Sequence, residues 1–67
     1  MGISYAPLFA TLHRNNKKLI DIKEKYKWSP NTIAKFRKNE YVHLRMLEIL
    51  CEELKCSFDD IIEYIKE

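Results

Sequence analysis

Residues 29–38 read Ser29-Pro30-Asn31-Thr32-Ile33-Ala34-Lys35-Phe36-Arg37-Lys38, which is the pattern of one short helix with two different faces. Ser29 is a favoured N-cap, because its hydroxyl accepts a hydrogen bond from a free amide of the first turn. Pro30 then occupies the first helical position, where its missing N–H costs nothing. Ile33 and Phe36 are three residues apart and share an apolar face. The other face carries short polar and cationic side chains, namely Asn31, Thr32, Lys35 and Lys38.

Positive charge is concentrated around this segment. Residues 13–45 contain ten Lys or Arg and three acidic residues, whereas residues 46–67 contain two Lys and seven acidic residues. Such a basic region is the electrostatic footprint of a polyanion-binding surface. It is equally compatible with the solvated surface of an ordinary small domain, so charge alone leaves both interpretations open.

The bulk composition predicts one globular domain, residues 1–67. The chain is 46% hydrophobic and 33% charged, and its one glycine and two prolines leave little room for a fold of several strands with tight turns. No apolar run approaches the ~18 residues of a membrane span, and no secretory signal is recognisable at the N-terminus. Two cysteines without a disulfide framework favour a reducing, cytoplasmic setting.

Apolar residues at helical spacing predict four further helices and no strand. The first covers residues 4–14, the second about 18–25 and the fourth about 44–55; a fifth is capped by Ser57, with Asp60 completing a variant capping box. The second helix and the helix of residues 29–38 are linked by Tyr26-Lys27-Trp28, which is too short for anything but a tight turn. Two helices joined at a steep angle by so few residues form a helix-turn-helix.

This pattern resembles the Cro/cI-type phage repressor domains, also called the XRE family. The resemblance rests on Ser29 to Lys35, on Asn39-Glu40 and on the segments Leu47-Glu48 and Cys51-Glu52-Glu53-Leu54. It implies an all-α, compact five-helix bundle of the lambda-repressor-like DNA-binding type, with the helix-turn-helix formed by helices 2 and 3. In that family the second helix crosses the DNA backbone and the third enters the major groove.

Two positions depart from the family's pattern. Lys23 stands where a small residue is usual in the second helix, and Lys27 stands where glycine is preferred in the turn. A non-glycine residue at positive φ costs ~1 kcal/mol. Either the turn has a different shape here, or the cost is accepted for a cation close to DNA.

The docking that the resemblance implies assigns roles to individual residues. Asn31, Thr32 and Lys35 point at base edges, where Asn pairs with adenine, Lys donates to guanine and Thr bonds a base or offers its methyl to thymine. The remaining contacts are to the phosphate backbone, from Lys17, Lys18, Lys27, Ser29, Lys38 and Asn39.

The function expected from these features is sequence-specific binding of double-stranded DNA and regulation of transcription, with repression as the default. One domain of this size covers about half an operator, so a homodimer on a pseudo-palindromic site is expected. Phe58 is the candidate interface residue; a lid on the core is its other interpretation. The alternative function is a small helical protein-interaction module, antitoxin-like or a phage regulatory adaptor, that uses the acidic residues 48–67.

No metal, cofactor or small-molecule substrate is expected. A structural zinc site needs closely spaced ligand pairs such as Cys-x₂-Cys, whereas Cys51 and Cys56 are five residues apart and His13 and His43 offer no complementary pair. The sequence contains no grouping of nucleophile, base and orienting residue and no glycine-rich phosphate loop, so an enzyme is not expected.

Overall fold

The structure is a computed structural model that describes residues 2–66, and these residues form four α-helices, one 3₁₀ turn and a two-stranded sheet. In chain order the elements are β1 (Gly2–Ser4), α1 (Ala6–Arg14), α2 (Leu19–Lys25), α3 (Asn31–Arg37), α4 (Leu44–Leu54), the 3₁₀ turn (Phe58–Asp60) and β2 (Glu63–Ile65). Helices α1 to α4 agree with the first four predicted helices. Within residues 2–66, no helix has both the length and the apolar character needed to cross a membrane.

The core draws apolar side chains from every helix, as their 3.6-residue spacing requires. Phe36 of α3 is completely buried in it. The other buried apolar side chains of the core are Tyr5, Leu8, Leu12, Leu19, Ile22, Leu47, Leu50, Leu54 and Ile61. α3 is therefore held by contacts with the rest of the chain, which a helix of seven residues requires because it is too short to be stable alone.

The predicted fifth helix is wrong, and so is the prediction that the chain contains no strand. Asp60 does accept a hydrogen bond from the Ser57 amide at 3.2 Å, as in the expected capping box, but this cap opens only a single 3₁₀ turn. The chain then becomes extended, and β2 pairs antiparallel with β1, so that Ile3 lies opposite Tyr64. The residues of β2 include aromatic and β-branched types, which favour strands. β1 supplies the backbone hydrogen-bonding partner that this segment needs in order to form a strand.

The C-terminal segment is also attached to α1. The Thr11 hydroxyl donates a hydrogen bond of 2.7 Å to the backbone carbonyl of Asp60. Thr11 is buried, so this bond satisfies a polar group that water cannot reach. The bond and the β1–β2 pairing together hold the N-terminal and C-terminal segments against each other.

Candidate nucleic-acid interface

The segment between α2 and α3 is a tight turn with one left-handed residue. Lys27 has φ of 56°, and the next amide, of Trp28, donates to the Lys23 carbonyl at 2.9 Å. This is the hydrogen bond that ends a helix at a left-handed residue, usually glycine. The turn therefore keeps the backbone shape that glycine would favour, although lysine occupies the position.

The start of α3 has the predicted cap. The Ser29 hydroxyl accepts a hydrogen bond from the Asn31 amide at 3.2 Å, and the Ser29 carbonyl accepts one from the Thr32 amide at 2.9 Å. Pro30 already has helical torsions, with φ of −55° and ψ of −28°. These contacts fix the direction in which α3 leaves the turn.

The outer face of α3 carries four exposed residues at positions i, i+3, i+4 and i+7. Together with Glu40 they line a shallow groove, and they are Asn31, Ala34, Lys35 and Lys38. We refer to these four residues as the reading face. The sequence prediction did not include Ala34, although its spacing from Asn31 and Lys38 was a signal for it. Its small side chain leaves the middle of the reading face open to close approach.

Thr32 is placed differently from the other residues predicted to contact bases. Only 3% of its surface is exposed, because it lies on the inner face of α3 with Phe36, one turn further along. Asn31 and Lys35 lie outside this inner face and are exposed. The structure therefore brings Asn31 and Lys35 together on the surface and turns Thr32 inward, where its side chain has almost no surface to offer a base.

The end of α3 is attached to the beginning of α1 through Tyr5. The Tyr5 ring packs edge-on against Phe36, with centroids 4.8 Å apart. Its hydroxyl donates to the Glu40 carbonyl at 2.7 Å, and its amide donates to Oδ1 of Asn39 at 2.9 Å. Asn39, at φ of 58°, therefore has its side-chain oxygen engaged within the protein. Only its Nδ2 is left as a donor for the phosphate contact predicted from the sequence.

The cations predicted to contact phosphate are all exposed but do not lie in one place. Lys38 belongs to the reading face, and Lys27 lies in the turn before α3. Lys17 and Lys18 line a different cleft, next to the start of α2. Lys17 already makes a hydrogen bond within the protein, because its Nζ donates to the Glu53 carbonyl at 3.1 Å.

Glu53 of α4 ties down the end of α2. Its Oε2 accepts a hydrogen bond from the Tyr26 hydroxyl at 2.6 Å and pairs with Nζ of Lys25 at 2.9 Å. These two hydrogen bonds, first that of Tyr26 and then that of Lys25, hold the pKa of Glu53 below its ordinary value. The Tyr26 ring in turn stacks on Trp28, with centroids 6.1 Å apart. The turn is thereby supported from α4 on one side and from the core on the other.

The two cysteines are free thiols packed at the edge of the core. The Cys56 amide donates to the Cys51 carbonyl at 3.0 Å, across the left-handed Lys55 that ends α4. Burial raises the pKa of both thiols. Among residues 2–66, no group of three or more His, Cys, Asp or Glu side chains is arranged to hold a metal ion.

A family model for the Cro/C1-type HTH DNA-binding domain matches residues 9–67. The chain belongs to this family. The predicted resemblance to Cro/cI-type domains is thus confirmed, and this membership in a DNA-binding family favours the polyanion-binding interpretation of the basic region.

Comparison with solved structures gives the same result for this Cro/C1-type domain. A crystal structure of the transcriptional regulator VanUg, Form II, is 39% identical to it in sequence and superposes with a TM-score of 0.87. The match covers 98% of this chain and 88% of the VanUg chain. Among curated proteins, none matches the chain. The match to VanUg includes almost the whole fold and therefore extends beyond the segment that the family model covers.

Proposed function

We propose that this chain regulates transcription, as a repressor, by binding a specific sequence of double-stranded DNA. In this proposal α2, the turn at Lys27 and α3 are the helix-turn-helix, and α3 lies in the major groove. The observation that carries the proposal is the reading face, an exposed helix surface on which an amide, a methyl group and two ammonium groups are adjacent. These are the groups that read base edges.

Each residue of the reading face has a role that its chemistry supports. The Asn31 amide pairs with N6 and N7 of adenine, and the Lys35 ammonium donates to O6 and N7 of guanine. The Ala34 methyl packs against a thymine methyl. Thr32 is left out of this set, because its burial fits a role in holding α3 and not in contacting bases.

The phosphate backbone is contacted by the surrounding polar groups, which set the register of α3 without reading sequence. The proposed contacts come from Lys17, Lys18, Lys27, Ser29, Lys38 and the Nδ2 of Asn39. The four lysines among them lower the affinity roughly 10²-fold between 50 and 200 mM salt, because the neutral Ser29 and Asn39 side chains release no counterions.

The test is selection of the chain's binding sites from a randomised duplex-DNA pool at two salt concentrations. We expect a short, two-fold-symmetric motif to be enriched. Lys35→Ala should lose selectivity at one position of the motif, while Lys55→Gly, which removes an exposed lysine at the end of α4, should not. Retention without an enriched motif would reduce the proposal to charge-driven binding, and no retention at low salt would refute it.

Repression has its own test. The enriched motif is placed between the core elements of a reporter promoter, and transcription is measured with and without the chain. We expect transcription to fall when the motif is intact and to stay unchanged when it is scrambled. Increased transcription would replace repression by activation.

We further propose that two copies bind together, with the C-terminal segment from Phe58 to Ile65 as their interface. The molecule measures 36 Å along its longest axis, close to the ~34 Å of one DNA turn, so one copy covers one half-site. Three large apolar side chains of this segment are substantially exposed, namely Phe58 (45%), Tyr64 (65%) and Ile65 (39%). This exposure supports the interface interpretation of Phe58 over a lid on the core.

The substitution Phe58→Asp tests the dimer. Sedimentation of the variant is expected to give a monomer with an unchanged circular dichroism spectrum, because a half-exposed side chain contributes less to the core than to an interface. A dimer of normal stability would place the interface elsewhere. An unfolded variant would identify Phe58 as core.

A further inference from the structure

A second surface feature lies on α1, α2 and α3, away from the reading face. It is an open cleft of about 390 Å³, with Phe9 on α1, Ile20 on α2 and Ile33 on α3 among its apolar lining. Cationic side chains stand at its edge, including Lys18 and Arg37. The volume is at the lower end of the ~300–1,000 Å³ typical of ligand sites, which suits a few side chains of a partner.

The cleft has positive charge without compensation. Among residues 2–66, no acidic residue lines it, whereas Lys17, Lys18 and Arg37 all do. Within residues 2–66, neither Lys18 nor Arg37 has a carboxylate at ion-pair distance, and only Lys17 has a hydrogen-bonded acceptor, the Glu53 carbonyl. The complementary partner is therefore anionic.

The floor of the cleft distinguishes a protein partner from DNA. Ile20 is 49% exposed and Phe9 36% exposed, and Ile33 of α3 is half-buried. An exposed apolar patch with a charged rim is the usual composition of a protein-binding site. A phosphodiester backbone offers charge but no apolar group to cover such a floor.

The cleft also lies to one side of the surface proposed for DNA. At ~100° per residue, Arg37 points about 110° around the α3 axis from the centre of the reading face. The Arg37 side of the cleft is therefore separate from the reading face, whereas Lys17 and Lys18 at its other edge belong to the phosphate contacts proposed above. This distinguishes the cleft from the groove along Asn31, Ala34, Lys35 and Lys38.

We propose that this cleft docks an acidic, amphipathic segment of another protein. A carboxylate of this segment pairs with Arg37, and one large apolar side chain inserts between Phe9, Ile20 and Ile33. Such a contact connects a DNA-bound regulator to a second protein, which goes beyond DNA binding itself. The contact is formed by the free chain as well, so it does not depend on the proposed function.

The experiment is selection of displayed random peptides of about twelve residues on the immobilised full chain, without DNA and then with a bound duplex. We expect enrichment of peptides that combine Asp or Glu with a Leu-, Phe- or Trp-sized anchor. Synthetic copies of the enriched peptides are then titrated by fluorescence anisotropy. Absence of enrichment, or enrichment of basic or purely apolar peptides, overturns the proposal.

Variants locate the binding site. Ile20→Glu and Arg37→Glu should each weaken the enriched peptides about tenfold. Leu44→Glu and Arg45→Glu are the matched controls, an exposed apolar residue and an exposed arginine at the start of α4, and should leave the affinity unchanged. Arg37→Gln replaces Arg37→Glu if the latter does not fold.

Equal losses in the cleft variants and the controls would overturn the cleft as the docking site. So would a loss of DNA affinity in Arg37→Glu as large as that in Lys35→Ala, because the cleft would then belong to the DNA interface. The DNA measurement also separates the two proposals, since peptide binding that survives in a chain without DNA affinity leaves only the DNA proposal refuted.

Discussion

The Tyr5 hydroxyl donates a hydrogen bond of 2.7 Å to the backbone carbonyl of Glu40, which is 35 positions away in the chain. Tyr5 is almost completely buried, and its ring contacts Phe36, the most deeply placed residue of α3. One side chain thus reaches both the core and the backbone just beyond α3. Burial raises the pKa of Tyr5, so the phenol remains a donor throughout the neutral range.

Removal of this hydroxyl in Tyr5→Phe should destabilise the fold while preserving the ring contact with Phe36. The lost hydrogen bond costs about 1 kcal/mol, which in a domain of this size lowers Tm by about 4–8 °C. Thermal unfolding followed by circular dichroism measures the change. Tyr41→Phe is the control, because Tyr41 is 79% exposed. Equal Tm values for the two variants would show that water satisfies the Glu40 carbonyl equally well.

The left-handed lysines provide a second prediction. Lys27 in the turn and Lys55 at the end of α4 have φ of 56° and 52°, so glycine at either position should stabilise the fold by about 1 kcal/mol. If Lys27 contacts phosphate, Lys27→Gly should also weaken DNA binding and reduce its salt dependence, whereas Lys55→Gly should leave both unchanged. Urea unfolding and DNA titrations at two salt concentrations measure these effects. Unchanged DNA binding in Lys27→Gly would exclude the phosphate contact.

The features that the sequence predicted correctly are those determined by neighbouring residues. The first four helices follow from apolar spacing, and the Ser29 cap follows from the preference of a hydroxyl for free amides. Periodicity also placed Phe36 on the inner face of α3 and Asn31, Lys35 and Lys38 on the outer one, but it wrongly placed Thr32 on the outer face too. Local spacing does not reveal this, because the angle at which α3 packs on the core decides how far Thr32 turns inward.

The features that it missed depend on residues far apart in the chain. Ile61 and Phe58 fit a helical stripe, but the segment that follows them finds strand partners in β1, at the opposite end of the chain. A short apolar segment is compatible with helix and with strand, and only the partner decides between them. The attachment of Asn39 to the Tyr5 amide was equally invisible, since nothing local to Asn39 indicates it.

The pH dependence of stability should reflect Glu53. Hydrogen bonds from Tyr26 and Lys25 hold its pKa below the ordinary glutamate value of 4.5. Because the folded-state pKa is lowered, Glu53 contributes stability that is fully present above 4.5 and is lost as the pH falls through the folded-state pKa. The Glu53→Gln variant lacks this contribution, so between about pH 5 and pH 3 its stability should fall less than that of the wild type.

Urea unfolding at several pH values measures this difference. Glu52→Gln is the matched control, because Glu52 is an exposed neighbour and takes no part in the contacts with Tyr26 and Lys25. It should show the acid dependence of the wild type. Identical acid profiles for Glu53→Gln and the wild type would mean that the network does not favour the ionised form of Glu53.

The last prediction concerns Ala34, the smallest residue of the reading face. Ala34→Leu should leave the stability nearly unchanged, because the position is exposed and leucine is almost as good a helix former as alanine. If bases approach α3 at its middle, the larger side chain should lower the affinity for the selected DNA motif about tenfold or more, while weak, charge-driven binding to unrelated DNA should persist. Ala10→Leu, at an exposed position of α1, is the control and should bind both DNAs normally. Unchanged affinity of Ala34→Leu for the motif would mean that the bases are read from another surface.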